Sequence, residues 1–233
     1  MPAGRHASPA TDAAPNHHYT SPQTVMAVLI VGLGLAALLL AYLVLSAVLY
    51  RRLFVPGPVE PMADFNFTPW EFQADFEEVD LTTADGVNFG AWFFRQRGSR
   101  QVVVISPGHK GRRQDLLGIA VGLWRKGFNV VCYSHRGMPG SDRTLITMGV
   151  REVQELAGAI ALARRRVRDA RIGLLGYSMG AAVSLIGAAG DPTVEALALD
   201  SPYSDLRQLL RENVRRQALQ RKRGMGWGRH SAR

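Results

Sequence analysis

The chain has 233 residues, of which 47% are hydrophobic and 20% are charged, and its formal net charge is +9. This composition excludes a wholly disordered chain, and the length allows one sizeable domain with appendages. The charge does not indicate a nucleic-acid-binding domain, because residues 211–233 alone carry eight basic side chains against one acidic side chain. The single cysteine, Cys132, excludes an internal disulfide, and its apolar neighbours predict a buried thiol.

The N-terminal quarter contains a long uncharged segment. Residues 1–22 are rich in Ala, Pro, Ser, Thr and His without periodicity, which predicts a disordered tail. Residues 25–50 contain no charged side chain, and about 25 helical residues span about 37 Å, more than a bilayer core of about 30 Å. We therefore predict a transmembrane helix at 23–50 and a Pro/Gly-rich linker at 51–63. Two arginines directly after the span favour a cytoplasmic domain, and an exported domain is the alternative.

The rest of the chain shows alternating strand and helix signals. Two strands are predicted to meet at Asp85-Gly86, a dipeptide typical of a hairpin turn. From about residue 101 to residue 200, apolar strands alternate with amphipathic helices, among them 112–126 and 150–166. This alternation predicts an α/β fold with a mainly parallel sheet, helices on both faces and an antiparallel hairpin at the edge.

A serine lies between a predicted strand and a helix of small residues, in the sequence GYSMG at 176–180. G-x-S-x-G in this context is the pattern of a nucleophile elbow, in which the serine hydroxyl stands clear of the sheet. Gly176 and Gly180 would leave room for the tight turn. Ser178 is the predicted nucleophile, and the N–H of Met179 is a predicted oxyanion donor at a helix N-terminus.

The second oxyanion donor is expected from the loop after the strand at 101–106. Gly108 would let this loop turn sharply, so that the backbone N–H of His109 points at the substrate oxygen. The His109 ring is not favoured as a base, because the loop geometry aims the amide inward rather than the ring. His135 follows another strand at the same edge, and a structural role in its loop is expected.

Several blocks of sequence, in order along residues 64–215, resemble the membrane-anchored serine α/β-hydrolases of bacteria, a group similar to esterases, lipases and peptidase-like hydrolases. These blocks are TTADGVNFGAWFFR, VVVISPGHKGRRQDL, NVVCYSHRGMPGSD, GLLGYSMG and ALALDSPYSDL. The resemblance implies an α/β-hydrolase fold, Ser178 as nucleophile, and the N–H groups of His109 and Met179 as oxyanion donors. In this family an acid follows a later strand, and the histidine lies near the end of the domain.

The acid and the base are the weakest part of the pattern. Asp200 ends a predicted strand, and His230 would complete the order Ser178, Asp200, His230, but it lies in a Gly/Arg-rich segment with nothing to fix it near the serine. After about residue 218 the apolar periodicity stops. We expect a domain at 64–218 that is cut short, with an exposed sheet flank, and a basic irregular tail at 219–233.

We therefore compare three functions. The favoured one is a membrane-anchored serine hydrolase that acts on an ester, thioester or small amide of a small-molecule acyl substrate. The second is an inactive remnant or binding protein that keeps the elbow without a base. The third is an interaction protein whose basic tail meets anionic lipid or nucleic acid. The favoured function requires no cofactor or metal, and the expected partners are the substrate and the lipid bilayer, without a specific nucleic acid.

Overall fold

The computed structural model describes residues 21–57, 67–212 and 215, and the chain divides into two compact units, Met1–Val48 and Leu49–Arg233. Most of the predicted tail 1–22, much of the predicted linker and the whole tail 219–233 lie outside the described residues.

The long apolar segment forms one continuous helix, α1, at Pro22–Phe54. None of its residues is buried, and among the described residues it is the one helix long and apolar enough, with a mean hydropathy of 2.8, to cross a membrane. It extends beyond the predicted span of 23–50 into the predicted linker. Arginine and leucine are good helix formers, and Arg51 and Arg52 lie in the last turn, where positive charge favours the helix dipole.

Residues 67–212 form the sheet and its covering helices. The strands are β1 Phe76–Thr82, β2 Asn88–Phe94, β3 Gln101–Ser106, β4 Asn129–Tyr133, β5 Arg171–Tyr177 and β6 Val194–Asp200. The helices are α2 Leu117–Arg125, α3 Val153–Arg166 and α4 Met179–Ala189, with short 3-10 turns at Pro69–Phe72 and Arg113–Leu116. Residues 206–212 are also helical.

The six described strands form one sheet in the order β1-β2-β4-β3-β5-β6. β1 pairs antiparallel with β2, and β2 pairs antiparallel with β4, whereas the pairs from β4 to β6 are parallel. The hairpin turn contains Gly86 at φ +81°, a left-handed conformation that glycine adopts without strain. The predicted α/β fold, mainly parallel with an antiparallel hairpin at one edge, is confirmed.

Both faces of the sheet are covered. On one face, α3 and α4 pack on the strands through a cluster that includes Leu156, Ile160 and Val183, and α2 packs on the other face through Leu117 and Val121. The β4 sequence NVVCY is buried at every position, as expected for a central strand of a sheet that is covered on both faces. Cys132 in β4 is buried, and burial raises the pKa of its thiol to about 12, which confirms the predicted buried thiol.

Two helices begin later than their periodicity predicts. Arg112 is extended, and its N–H donates to the Asp115 carboxylate at 2.8 Å, so a 3-10 turn precedes α2. Before α3, the Glu152 side chain bonds back to the preceding loop instead of pointing to solvent. Both helices begin late for the same physical reason: an acidic side chain accepts hydrogen bonds from the backbone N–H groups that precede the helix. α2 is followed by Gly127 at φ +97°, at the predicted stop.

Candidate active site

Ser178 occupies a strained turn between β5 and α4. Its φ of +51° and ψ of −112° lie in a region that non-glycine residues rarely adopt, at a typical cost of about 1–3 kcal/mol. Its N–H donates to the carbonyl of Asp200 at 2.8 Å, and its own carbonyl accepts from Ala181 at 3.1 Å. Both bonds fix the turn, and Ser178 is exposed at the carboxyl edge of the sheet.

The two glycines of the elbow have no space for a side chain. A Cβ at Gly180 would collide with the carbonyls of Ser106 and Pro107, and one at Gly176 would lie 2.6 Å from the Cα of Ala181. The turn can therefore form only because the chain carries glycine at both positions, and this brings the start of α4 directly against the end of β3.

The loop after β3 lies beside the elbow. A methyl group built on Gly108 would be 3.8 Å from the Cβ of Ser178 and 3.6 Å from the carbonyl oxygen of Tyr177. Met179 is the first residue of α4, where backbone N–H groups have no helical acceptor. No acceptor within residues 67–212 takes up the backbone N–H of His109 or of Met179. Two unpaired donors at a helix N-terminus and a neighbouring loop are the arrangement that can bind an oxyanion.

Asp200 lies next to the serine in the sheet. It is the register partner of Tyr177, and its exposed carboxylate accepts a hydrogen bond from Ser201 Oγ at 2.8 Å. The sheet thus brings Ser178, Met179, Asp200 and the Gly108 loop to one edge. His230, the predicted base, lies outside the described residues, so the structure does not place it.

The two described histidines both have their rings on backbone carbonyls. His135 is buried, its Nε2 lies 3.0 Å from the carbonyl oxygen of Pro107, and burial lowers its pKa to about 4. Its ring meets Tyr133 edge-on. The half-buried ring of His109 has its Nε2 2.8 Å from the carbonyl oxygen of Leu53. Neither ring is hydrogen-bonded to Ser178 within the described part of the chain, which fits the structural role expected for His135.

A buried ion-pair cluster near this edge was not predicted. Arg136 is fully buried; it donates to Glu155 at 2.7 Å and, through both terminal nitrogens, to Asp85 at 2.8 and 3.2 Å. The hydrogen bond from Arg136 holds the pKa of Asp85 well below its usual range, whereas burial raises the pKa of Glu155 against the opposing effect of Arg136. The sequence feature that could have indicated this cluster is a pair of glutamates, Glu152 and Glu155, near the start of an amphipathic helix.

Glu152 fixes a loop that packs against α4. Its carboxylate accepts from the N–H of Thr147 at 2.7 Å and from that of Gly149 at 2.8 Å. Burial alone would raise the pKa of Glu152, but these hydrogen bonds outweigh burial and hold the pKa below its ordinary value. Gly149, at φ +97°, lies close to the side chain of Met179. Within the described residues no three His, Cys, Asp or Glu side chains form a group that could hold a metal ion.

A strained serine at a strand-to-helix turn, beside a loop with a free N–H donor and on a sheet of this order, defines the α/β-hydrolase fold. Residues 97–226 match the family model described as "Serine aminopeptidase, S33", which covers more than half of the chain. The chain therefore belongs to this family.

The chain is also similar to known proteins in sequence and to solved structures in fold. The uncharacterized protein Rv2307c of Mycobacterium tuberculosis is 31% identical over 134 residues, 57% of this chain and 47% of that protein. The Pyrococcus furiosus esterase Pf2001 superposes with a TM-score of 0.57 at 25% identity, covering 64% of this chain and 56% of that one. The α/β-hydrolase GrgF from Penicillium gives a TM-score of 0.52 at 25% identity, with coverages of 64% and 55%. The chain spans about half the length of the curated relatives it matches.

Proposed function

We propose that the protein is a serine hydrolase that cleaves an ester or thioester, or a small amide, through an acyl-enzyme on Ser178. The observation that carries this proposal is the positive φ of Ser178 at the β5–α4 turn, near two backbone N–H groups, those of His109 and Met179, that have no acceptor within residues 67–212. Strain of this kind persists only where the surrounding structure enforces it, and it is concentrated at functional sites.

The chemistry follows from the positions of these groups. Ser178 Oγ attacks the carbonyl carbon of the substrate and loses its proton to a base, and the carbonyl oxygen becomes an oxyanion bound by the N–H groups of His109 and Met179. Collapse of this intermediate expels the alcohol, thiol or amine, which takes up the proton held by the base, and leaves the acyl-enzyme. Water then hydrolyses the acyl-enzyme by the same steps. Asp200 and His230 are the acid and base that we assign to this cycle.

The decisive experiment is labelling with a fluorophosphonate, which reacts with activated serines. The full chain in detergent should label with a stoichiometry near one, and Ser178→Ala should abolish the label. Ser99→Ala, at the opposite edge of the sheet, is the matched control and should label like the wild type. An unlabelled wild type would overturn the proposal.

The substrate class can be separated with paired substrates. The neighbour Pf2001 is described as an esterase, which favours esters, whereas the family description favours aminoacyl amides. Relative to the uncatalysed hydrolysis of each substrate, we expect p-nitrophenyl acetate or butyrate to be accelerated more than aminoacyl p-nitroanilides. The reverse order would assign the site to peptides.

A second candidate function is an acyl-binding protein without turnover. It is favoured by one observation, namely that the rings of His109 and His135 both lie on backbone carbonyls, those of Leu53 and Pro107. This candidate predicts no labelling, together with binding of a boronic acid or acyl ligand that depends on the N–H pair.

We also propose that α1 anchors the protein in a membrane with the hydrolase domain on the cytoplasmic side. The support is a 33-residue apolar helix with no buried residue and with Arg51 and Arg52 in its last turn. Carbonate extraction should leave the full chain in the membrane fraction, and a C-terminal fluorescent reporter should be active only in the cytoplasm. Release by carbonate would contradict the membrane anchor, and a reporter active only outside the cytoplasm would contradict the orientation.

A further inference from the structure

The compact unit that holds the candidate site begins at Leu49, so it includes the last turn of α1. The last carbonyls of a helix have no partner within the helix and require donors from elsewhere. The His109 Nε2 lies 2.8 Å from the Leu53 carbonyl oxygen, and Lys110 Nζ donates to the Arg52 carbonyl at 2.8 Å. Both side chains belong to the loop that carries the proposed oxyanion donor.

Further contacts hold the same end of the helix. The N–H of Ile146 donates to the Phe54 carbonyl at 3.0 Å, and Arg143 Nη2 donates to the Gly57 carbonyl at 3.3 Å. The segment from Arg52 to Gly57 is therefore fixed to two loops at the carboxyl edge of the sheet, and it is a stable support for the His109 side chain.

The loop of His109 needs such a support. Lys110 has a φ of +59°, a left-handed conformation that is unfavourable for a residue with a side chain. The loop is closed by a bond from the N–H of Gly111 to the Gly108 carbonyl at 2.9 Å, and its far side is Gly108 against the elbow. It lies between the elbow and the end of α1, and a shift of either neighbour would move the His109 amide.

We propose that the imidazole of His109, assisted by the ammonium of Lys110, is a positioning group that clamps the oxyanion loop to the end of α1. The clamp holds the backbone N–H of His109 opposite Ser178. This inference rests on the proposed function. It gives the ring a role that is neither that of a base nor that of a surface residue, since its Nε2–H donates to the Leu53 carbonyl.

A positioning role differs measurably from a stabilising one. An oxyanion donor interacts strongly with the substrate only in the transition state, so misplacing it lowers kcat and leaves KM unchanged. A contact that serves only stability would change the melting temperature and leave the rate of acylation of the folded protein unaltered.

The test compares His109→Leu, which cannot donate to Leu53, with His109→Gln, whose side-chain amide can. Both variants are measured as the full chain in detergent. We expect His109→Leu to lower the fluorophosphonate labelling rate and the kcat for a p-nitrophenyl ester by about 10–100-fold, with KM within about twofold. The loss should be smaller than the loss of about 100–1,000-fold caused by removing an oxyanion donor outright, because the N–H is misplaced and not removed. His109→Gln should recover most of the rate. Lys110→Ala should be slower than its matched control Lys126→Ala, which lies after α2. Wild-type rates in His109→Leu, or equal losses in both His109 variants, would overturn the proposal.

Amide hydrogen exchange tests the clamp without any activity. The Gly111 amide, which donates to the Gly108 carbonyl at 2.9 Å, should exchange faster in His109→Leu than in the wild type, and His109→Gln should restore its protection. Unchanged exchange in His109→Leu overturns the clamp, even if the wild type labels well. An unlabelled wild type whose exchange changes as expected overturns the hydrolase proposal and leaves the clamp supported.

Discussion

The hairpin side and the β6 side of the sheet differ in how completely their apolar residues are buried. On the hairpin side, Trp92, Phe93 and Phe94 of β2 are at most 3% exposed. On the other side, Leu197 in β6 is 42% exposed, and Leu185 and Ile186 on α4 are 50% and 57% exposed within the described part of the chain. The apolar core is therefore concentrated around β2, β4 and β3, and burial decreases towards β6 and, less strongly, towards β1.

The one ion pair that is fully buried among the described residues also lies on the hairpin side, although Glu77 and Glu78 of β1 form partly exposed pairs there. On the hairpin side, Arg136 and Glu155 form a fully buried pair. On the β6 side, the pairs Arg164–Asp191 and Arg171–Glu195 are exposed at the surface. Substitutions on the hairpin side should therefore cost much more stability than matched substitutions near β6, because a buried site cannot replace lost contacts with water.

The largest difference is expected for apolar truncations. Phe93→Ala should lower the free energy of unfolding by about 3–5 kcal/mol, because Phe93 is fully buried and its removal leaves a cavity. Leu185→Ala on the exposed face of α4 should cost less than about 1 kcal/mol. Urea titration of the full chain in a mild detergent measures both values. Equal losses of unfolding free energy in the two variants would contradict the proposal that the apolar core is concentrated on the hairpin side.

A somewhat smaller loss is expected for the buried ion pair. Arg136→Met should cost about 3–4 kcal/mol, because it leaves the Glu155 carboxylate buried without its guanidinium partner. The matched variant Arg164→Met breaks an exposed pair and should cost less than about 1 kcal/mol. The double variant Arg136→Met, Glu155→Leu should recover much of the lost stability. A double variant less stable than Arg136→Met alone would contradict this account.

The pH dependence of stability should reveal the burial of the loop after β4. The folded pKa of His135 is about 4, below the ordinary value of 6.5, so between these values the unfolded chain binds the proton and the folded chain does not. Stability should therefore decrease as the pH falls from about 6.5 to about 4, by up to about 3 kcal/mol, and be unaffected by this group above pH 7.

The control for this prediction is His135→Gln, whose amide can still donate to the Pro107 carbonyl but does not titrate. Unfolding free energies measured at pH 7, 6, 5 and 4.5 should decrease more steeply in the wild type than in this variant. Parallel curves would show that His135 is protonated in the folded protein as readily as in the unfolded chain.

The sequence predicted those features whose signals are local. The strand sequence NVVCY, the turn at Asp85-Gly86 and the stop at Gly127 each depend on a few neighbouring residues, and each is found where it was predicted. The late start of α3 was missed, because Glu152 bonds to Thr147 and Gly149 in a loop whose conformation hydrophobic periodicity does not indicate.

The candidate site was predictable to a similar degree. The G-x-S-x-G pattern and the strand ends predicted Ser178, Met179 and Asp200 as site residues, and the sheet places all three at its carboxyl edge. The ion pair of Arg136 with Asp85, 51 positions earlier, and the contact of His109 with Leu53, 56 positions earlier, were not predictable. Such contacts are set by the tertiary fold and have no periodic signal along the chain.

The smallest effect on stability, and the sharpest test of the β6 side, is expected for Leu197→Lys. The side chain is already partly in water, so the free energy of unfolding should change by less than about 0.5 kcal/mol. A lysine in an edge strand opposes pairing with the edge of another molecule. Size-exclusion chromatography with light scattering should therefore show fewer large species than for the wild type, whereas Leu197→Ile, which keeps the edge apolar, should behave like the wild type. If Leu197→Lys loses several kcal/mol instead, residue 197 is buried in solution and the two sides of the sheet are alike.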